Sequence, residues 1–190
     1  QHALQEAKAR GVHISIDLNH RERLWQYGQN ATDIMPALVE LADTLMAGRG
    51  DCAACLGFSP DGDGSSNDWY EELSADVLCR FPNISRVAVT IRNSSSADHH
   101  RWAAHFRSSE GSFFSRTYDL HNVVDRVGTG DGFSAGLIFG LINKMAGADA
   151  LEFGAAANAL KHSIAGDANM VTADEVHAMI ESGGTGRLRR

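Results

Sequence analysis

The residues best placed to do chemistry lie together in Asp125-Arg126-Val127-Gly128-Thr129-Gly130-Asp131-Gly132-Phe133-Ser134-Ala135-Gly136. A glycine-rich turn runs straight into a helical pattern. Gly128 and Gly130 have no Cβ, so the backbone there can approach a ligand closely. The N–H groups of a first helical turn lack partners within their own helix, and with the helix dipole they favour an anion. An aspartate in such a turn has two readings. Asp131 can simply cap the helix. It can also take a proton from a hydroxyl lying beside a bound phosphate. Phosphoryl transfer to an alcohol needs that second arrangement: a base at the nucleophile and donors around the transferring group.

Two named glycine-rich motifs compete for this segment. There is no G-x-x-x-x-G-K-[ST] in the chain, which excludes a P-loop. Gly130-Asp131-Gly132-Phe133-Ser134-Ala135 fits the dinucleotide fingerprint G-x-G-x-x-A, but residues 149–152, at the distance of its acidic partner, read as helix rather than strand end. Elsewhere, Cys52-Ala-Ala-Cys55 is a lone C-x-x-C. Zinc takes about four ligands, and Cys79 with His99-His100 could complete a set only if a long loop folded back. Buried free thiols are the simpler expectation. His99, His100 and His105, with Asp98 and Arg101, read as a solvated polar loop.

The elements that must position these residues follow from periodicity. Residues 1–10 read as a helix stopped by Gly11. Val12 to Leu18 alternates as a strand and ends in the polar cluster Asp17-Leu18-Asn19-His20-Arg21. The carboxyl ends of strands are where open α/β sheets bind ligands. Pro36 is expected to open a helix, Thr44 to Ala47 to form a strand, and residues 57–68 to form a loop. Trp69 to Cys79 is helical, with Tyr70, Leu73, Val77 and Leu78 on one face. Arg86 to Ile91 is a strand, and Trp102–Phe106 with Phe113–Leu120 a hairpin turning near Glu110-Gly111. Phe133, Leu137, Leu141 and Met145 mark one helix and Ala150 to His162 an Ala-rich second. Thr172 and Glu175 form a capping box that opens a third. Gly132, Gly136 and Gly140 share a helix face and are expected to let that helix pack closely on a sheet. Alternating strands and helices argue for an α/β fold with a mainly parallel sheet flanked by helices, without an internal domain boundary.

The 190 residues carry 17 Lys+Arg and 24 Asp+Glu, a net charge of −7. A phosphate-binding surface needs a cationic excess, so nucleic acid is not expected as a partner, and the tail Arg187, Arg189, Arg190 is too small to change this. No apolar run reaches membrane-spanning length. Three cysteines are an odd number in a chain that is not small, which favours a reducing, cytoplasmic setting over a disulfide framework.

Asp125 to Asp131 resembles the second signature of the PfkB, or ribokinase-like, sugar kinases. Its Asp-Arg-Val-Gly-x-Gly-Asp form is similar to the 2-keto-3-deoxygluconate (KDG) kinase branch. Three further segments agree in order along the chain. Asp17-Leu18-Asn19-His20-Arg21 with Leu24-Trp25 is similar to that branch's D-x-N-x-R…LW segment. Val87 to Arg92 is similar to its nucleotide-side strand, and Lys161-His162-Ser163 with Gly166-Asp167 to its closing helix and turn. The resemblance implies a ribokinase-like fold and ATP-dependent phosphorylation of a sugar acid. It makes Asp131 the catalytic base and the N–H groups of Gly128, Thr129 and Gly130 the anion hole. Arg21 would grip the substrate carboxylate, for which its fork of donors is suited, and Asp167 would lie beside the sugar acid. Thr90, Arg92 and Asn158 would lie near the nucleotide. Mg²⁺ would arrive with ATP, and Asp125 would help hold a monovalent cation.

Taken alone, Arg21 also reads as a surface ion-pairing residue and Asp167 as a turn residue. The family's opening sheet and lid, with its Gly-Gly-x-x-N segment, are not in these residues. The chain is therefore expected to be the C-terminal part of such a kinase. Ala47-Gly48-Arg49-Gly50-Asp51-Cys52 replaces the usual Gly-Asn-Glu-type stretch. Members of the branch often associate, so a homo-oligomer is among the expectations. A kinase for a neutral sugar or nucleoside, and a non-catalytic fragment that binds nucleotide or a partner, remain alternatives.

Overall fold

The structure, a computed structural model, describes residues 1–94 and 99–183. Asp98 and the Arg187, Arg189, Arg190 tail lie outside the described residues. The elements are α1 (His2–Ala9), β1 (Ser15–Leu18), a short 3₁₀ turn (Glu22–Leu24), α2 (Ala31–Val39), β2 (Thr44–Gly48), α3 (Arg49–Leu56), α4 (Asn67–Arg80), β3 (Arg86–Ser94), β4 (His99–Ser108), β5 (Gly111–Phe114), β6 (Tyr118–His121), α5 (Thr129–Ile142), α6 (Gly147–Lys161) and α7 (Ala173–Glu181). The mixed sheet has the order β1-β2-β3-β4-β5, with β6 also paired to β4. Among the described residues, no helix is long and apolar enough to cross a membrane.

The chain forms two compact units. One comprises Gln1–Thr90 and His105–Ser112; the other comprises Ile91–Ala104 and the chain from Phe113 onward. In the first, β1, β2 and β3 run parallel, with Ser15 opposite Thr44 and Gly48 opposite Thr90. Parallel strands are covered on both faces, and Thr44, Leu45, Met46 and Ala47 are accordingly all buried. Helix α4 contributes Tyr70, Leu73 and Val77 to this core, while Leu78 is only half-buried. In the second unit β4 and β6 are antiparallel, with His99 opposite His121 and Trp102 opposite Tyr118. The Trp102 ring meets Phe133 of α5 edge to face, at a centroid distance of 5.1 Å.

Several sequence expectations are corrected here. The first strand begins at Ser15, not Val12. The Val12 N–H is spent on the Ala7 carbonyl at the end of α1, so it is not available to a strand ladder. Pro36 lies inside α2 instead of opening it. The helix starts after Asn30, and the proline leaves only the Thr32 carbonyl without its usual donor; Thr32 is exposed, so water can replace that bond. The second arm of the hairpin is two strands, β5 and β6, broken at residues 115–117. The Ser115 hydroxyl accepts from the Ala104 N–H at 2.9 Å in that break. The histidines are not in a loop: His99, His100 and His105 all belong to β4, and His100 and His105 are buried.

The glycine face of α5 packs on helix α6, not on the sheet. A Cβ at Gly136 would stand 2.9 Å from the Gly154 Cα, and one at Gly140 would stand 2.8 Å from the Ala150 Cα. From the other side, a Cβ on Gly154 would reach the Leu137 amide at 3.0 Å. Small residues on both helices let the two backbones approach closely.

Candidate active site at the start of α5

Gly128 is the residue that turns the chain into α5. Its backbone is left-handed, φ 73°. A Cβ would stand 2.0 Å from the Asp167 carbonyl oxygen. Glycine is thus required twice, for its conformation and for close approach. The first bond of the helix runs from the Gly132 N–H to the Gly128 carbonyl at 2.8 Å. The N–H groups of Thr129, Gly130 and Asp131 precede it and have no acceptor within the helix. Asp131 stands at the third helical position with its residue exposed. Gly130 is exposed too, and a Cβ there would meet nothing within 4 Å.

Thr129 is buried and anchors this turn. Its hydroxyl donates to the Arg126 carbonyl at 3.1 Å and accepts from Arg92 Nη2 at 3.3 Å. Its carbonyl accepts from Asn158 Nδ2 at 2.7 Å. Partial burial and the nearby Arg126 charge hold the Arg92 guanidinium below its ordinary pKa. Two guanidinium groups therefore lie close enough at the start of α5 to repel one another. Arg126 was read in the sequence only as part of the motif. The signal for it was its place two residues before Gly128.

The turn opposite is fixed by one carboxylate and one buried ammonium. Asp125 Oδ1 accepts the Val127 N–H at 3.0 Å and Oδ2 accepts the Gly166 N–H at 2.8 Å. These backbone bonds hold its carboxyl below the usual range. Lys161 is completely buried, and its ammonium donates to the carbonyls of Ile164 at 2.9 Å and Gly166 at 2.7 Å. Asp167 follows in the same turn, exposed, with its carbonyl against Gly128. Each carboxylate oxygen of Asp125 accepts one backbone N–H, and the Lys161 ammonium on the neighbouring Ile164 and Gly166 carbonyls is a charge that would compete with a monovalent cation there. Lys161 enters the sequence reading only within the closing segment Lys161-His162-Ser163, and nothing in its type signals burial.

The structure thus gathers Arg92, Asp125, Gly128 to Asp131, Asn158 and Asp167 in the second unit. Asn158 is fully buried within α6 and serves as a tie to α5.

Arg21 and Thr90 belong to the first unit, beyond β1 and within β3. Arg21 is exposed, and its fork rests on its own loop: Nη2 on Asn19 Oδ1 at 2.9 Å and Nη1 on the His20 carbonyl at 3.3 Å. Asp51 holds this strand end. Its Oδ1 accepts the His20 N–H at 2.9 Å and its Oδ2 the Gly48 N–H at 3.1 Å, so one carboxylate both caps α3 and fixes the segment carrying Arg21. Thr90 lies opposite Gly48 in the ladder and is half-buried.

Residues 2–173 match the pfkB family carbohydrate kinases. A 2-dehydro-3-deoxygalactonokinase from Haloferax volcanii is 30% identical over 183 residues, 96% of this chain and 52% of that protein. A 2-dehydro-3-deoxygluconokinase from Bacillus subtilis is 28% identical over 167 residues, 87% of this chain and 45% of that protein. The crystal structure of 2-dehydro-3-deoxygluconokinase from Thermotoga maritima aligns with a TM-score of 0.86 at 34% identity, covering 93% of this chain and 52% of that one. The chain spans about half the length of the relatives it matches. By the match over residues 2–173, this chain belongs to the pfkB family of carbohydrate kinases.

Proposed function

We propose that residues 1–190 form the C-terminal part of a ribokinase-like kinase domain that transfers phosphate from ATP to 2-keto-3-deoxygluconate or a related keto-deoxy sugar acid. The observation that carries this reading is the start of α5. Unpaired helix-terminal N–H groups, a left-handed Gly128 and an exposed Asp131 stand within four consecutive residues. Asp131 takes the proton of the acceptor hydroxyl as that oxygen attacks the terminal phosphorus of ATP and the bond to ADP breaks. The N–H groups of Gly128, Thr129 and Gly130 serve the charge on the transferring group. The open space at Gly130 supports this role, since nothing in the chain's own packing demands a glycine there.

Arg21 orients the carboxylate of the sugar acid, and Asp167 hydrogen-bonds its hydroxyls. Thr90 and Arg92 serve the nucleotide, with Arg126 adding charge beside Arg92. Asn158 acts on the nucleotide side by holding Thr129 in place. Mg²⁺ comes with ATP and supplies charge neutralisation at the phosphates.

The test is ADP release from ATP·Mg²⁺ by this chain with KDG, fructose, ribose and adenosine. Turnover confined to the sugar acid is expected, falling by about 10²–10⁴-fold in Asp131→Asn. Full turnover by Asp131→Asn would remove the base. Equal turnover on ribose, surviving Arg21→Ala, would replace the sugar acid with a neutral sugar.

A further inference from the structure

We propose that His99, Asp119 and His121 form a binding site for a single Zn²⁺ ion on the β4–β6 pair. The ladder places His99 opposite His121 and Arg101 opposite Asp119. Side chains alternate along a strand, so Asp119 and His121, two apart, share a face, and the cross-strand His99 joins them. His99 Nε2 lies 2.5 Å from Asp119 Oδ1, and His121 Nε2 lies 3.5 Å from Asp119 Oδ2. The two imidazoles stack with centroids 4.1 Å apart. Among the described residues, these three form the group whose donor atoms all fall within 4.8 Å of one another.

Two imidazole nitrogens and a carboxylate oxygen match the His₂-carboxylate donor set of open zinc sites, whereas Mg²⁺ takes oxygen and keeps its waters. Three protein ligands leave a fourth tetrahedral position to water. The side chains are 36%, 56% and 59% exposed in the order His99, Asp119, His121, so an ion can enter from solvent. The Asp119 carboxylate reaches both imidazoles, Oδ1 toward His99 and Oδ2 toward His121. Arg101 is the competing cation for that carboxylate. The cysteine pair suits zinc less well. Burial, with Asp51 nearby, pushes the Cys52 and Cys55 thiols up to about 12 and about 11, against the thiolate form zinc needs. None of the three site residues has a part in the proposed phosphoryl transfer, so the two readings stand or fall separately.

The test is Zn²⁺ binding to the metal-stripped chain by equilibrium dialysis with Mg²⁺ in excess, together with the visible spectrum of the Co²⁺ form. One ion per chain and a tetrahedral Co²⁺ spectrum are expected. His99→Ala and His121→Ala should each weaken binding by more than the roughly 10–100-fold that loss of a supporting contact costs. Arg101→Ala should bind as tightly or more tightly, and Cys52→Ser with Cys55→Ser should change nothing. Far-UV circular dichroism checks that each variant is folded. Absence of stoichiometric binding, binding unchanged by both histidine variants, or binding lost in the cysteine variant alone would overturn the site.

Discussion

Asn158, near the carboxyl end of the Ala-rich helix α6, donates its side-chain amide to the carbonyl of Thr129, the first residue of α5, across 2.7 Å. The bond is buried, and it ties the last turn of α6 to the opening turn of α5. It also explains why a residue that disfavours helix interiors sits in one.

Removing that donor leaves a buried carbonyl without its partner. Asn158→Ala is expected to lower the free energy of unfolding by about 1–3 kcal/mol. Asn158→Asp should do worse, since a carboxylate cannot donate to a carbonyl. Urea denaturation of the three proteins measures this, and equal midpoints would show that the tie contributes nothing.

What could be read from the sequence was what depends on neighbours in sequence. The capping box at Thr172 is one case: the Glu175 N–H donates to the Thr172 hydroxyl at 3.3 Å, and the Glu175 carboxylate accepts the Thr172 N–H at 2.8 Å. The turn from Gly128 to Asp131 is another, because glycine and aspartate before a helical pattern specify their own geometry. Partners distant in sequence were not readable. Asn158 was visibly odd, yet nothing local points to Thr129. A stripe of small residues suits a sheet or a helix equally, so Gly132, Gly136 and Gly140 did not reveal α6. Trp102–Phe106 was legible as a strand, but the polar residues 99–101 hid the first part of β4, and nothing in their type marked His100 and His105 as buried. Asp51 escaped notice as a carboxylate in a loop-like stretch, although it secures two separate backbone segments.

Gly136 should tolerate no side chain. Its added Cβ would meet the Gly154 Cα at 2.9 Å and the Ala157 Cβ at 3.0 Å. Backbone cannot move aside as a flexible side chain can. Gly136→Ala gains helix propensity, yet it is expected to cost about 1–3 kcal/mol by overpacking. Gly136→Val should cost more. Thermal unfolding followed by circular dichroism reads the difference, and a raised Tm in Gly136→Ala would show that α5 and α6 can separate freely.

The thiols should differ in reactivity. Cys79 is exposed, while Cys52 and Cys55 are buried. Burial raises both buried thiols far above neutral pH, so little thiolate forms there. A chromogenic disulfide reagent at mildly alkaline pH is expected to titrate one thiol per folded chain, and the remaining two only in denaturant. Cys79→Ser should abolish the fast phase. Fast reaction of Cys52 or Cys55 in the folded state would mean that α3 opens readily.

His105 makes stability depend on pH in a definite direction. It is buried in β4 with Nε2 2.8 Å from the Ser112 hydroxyl, and that hydroxyl donates to Glu71 at 3.2 Å. Burial first, and the Arg107 charge second, lower its pKa from the ordinary 6.5 to about 4. Above pH 6.5 the ring is neutral in both folded and unfolded chains, and its contribution is fully present. As pH falls from there toward 4, the unfolded chain takes up a proton that the folded chain refuses, and stability is lost. The loss should reach on the order of 2–3 kcal/mol by the lower limit. His162, whose pKa burial also lowers, adds a slope of the same sign. His105→Gln keeps a partner for Ser112 but has no proton to gain. Urea midpoints for wild type and His105→Gln at a series of pH values between 7 and 4 should therefore draw toward, and then cross in favour of, the glutamine variant. A gap between the two proteins that stays constant with pH would show that the buried ring accepts its proton without penalty.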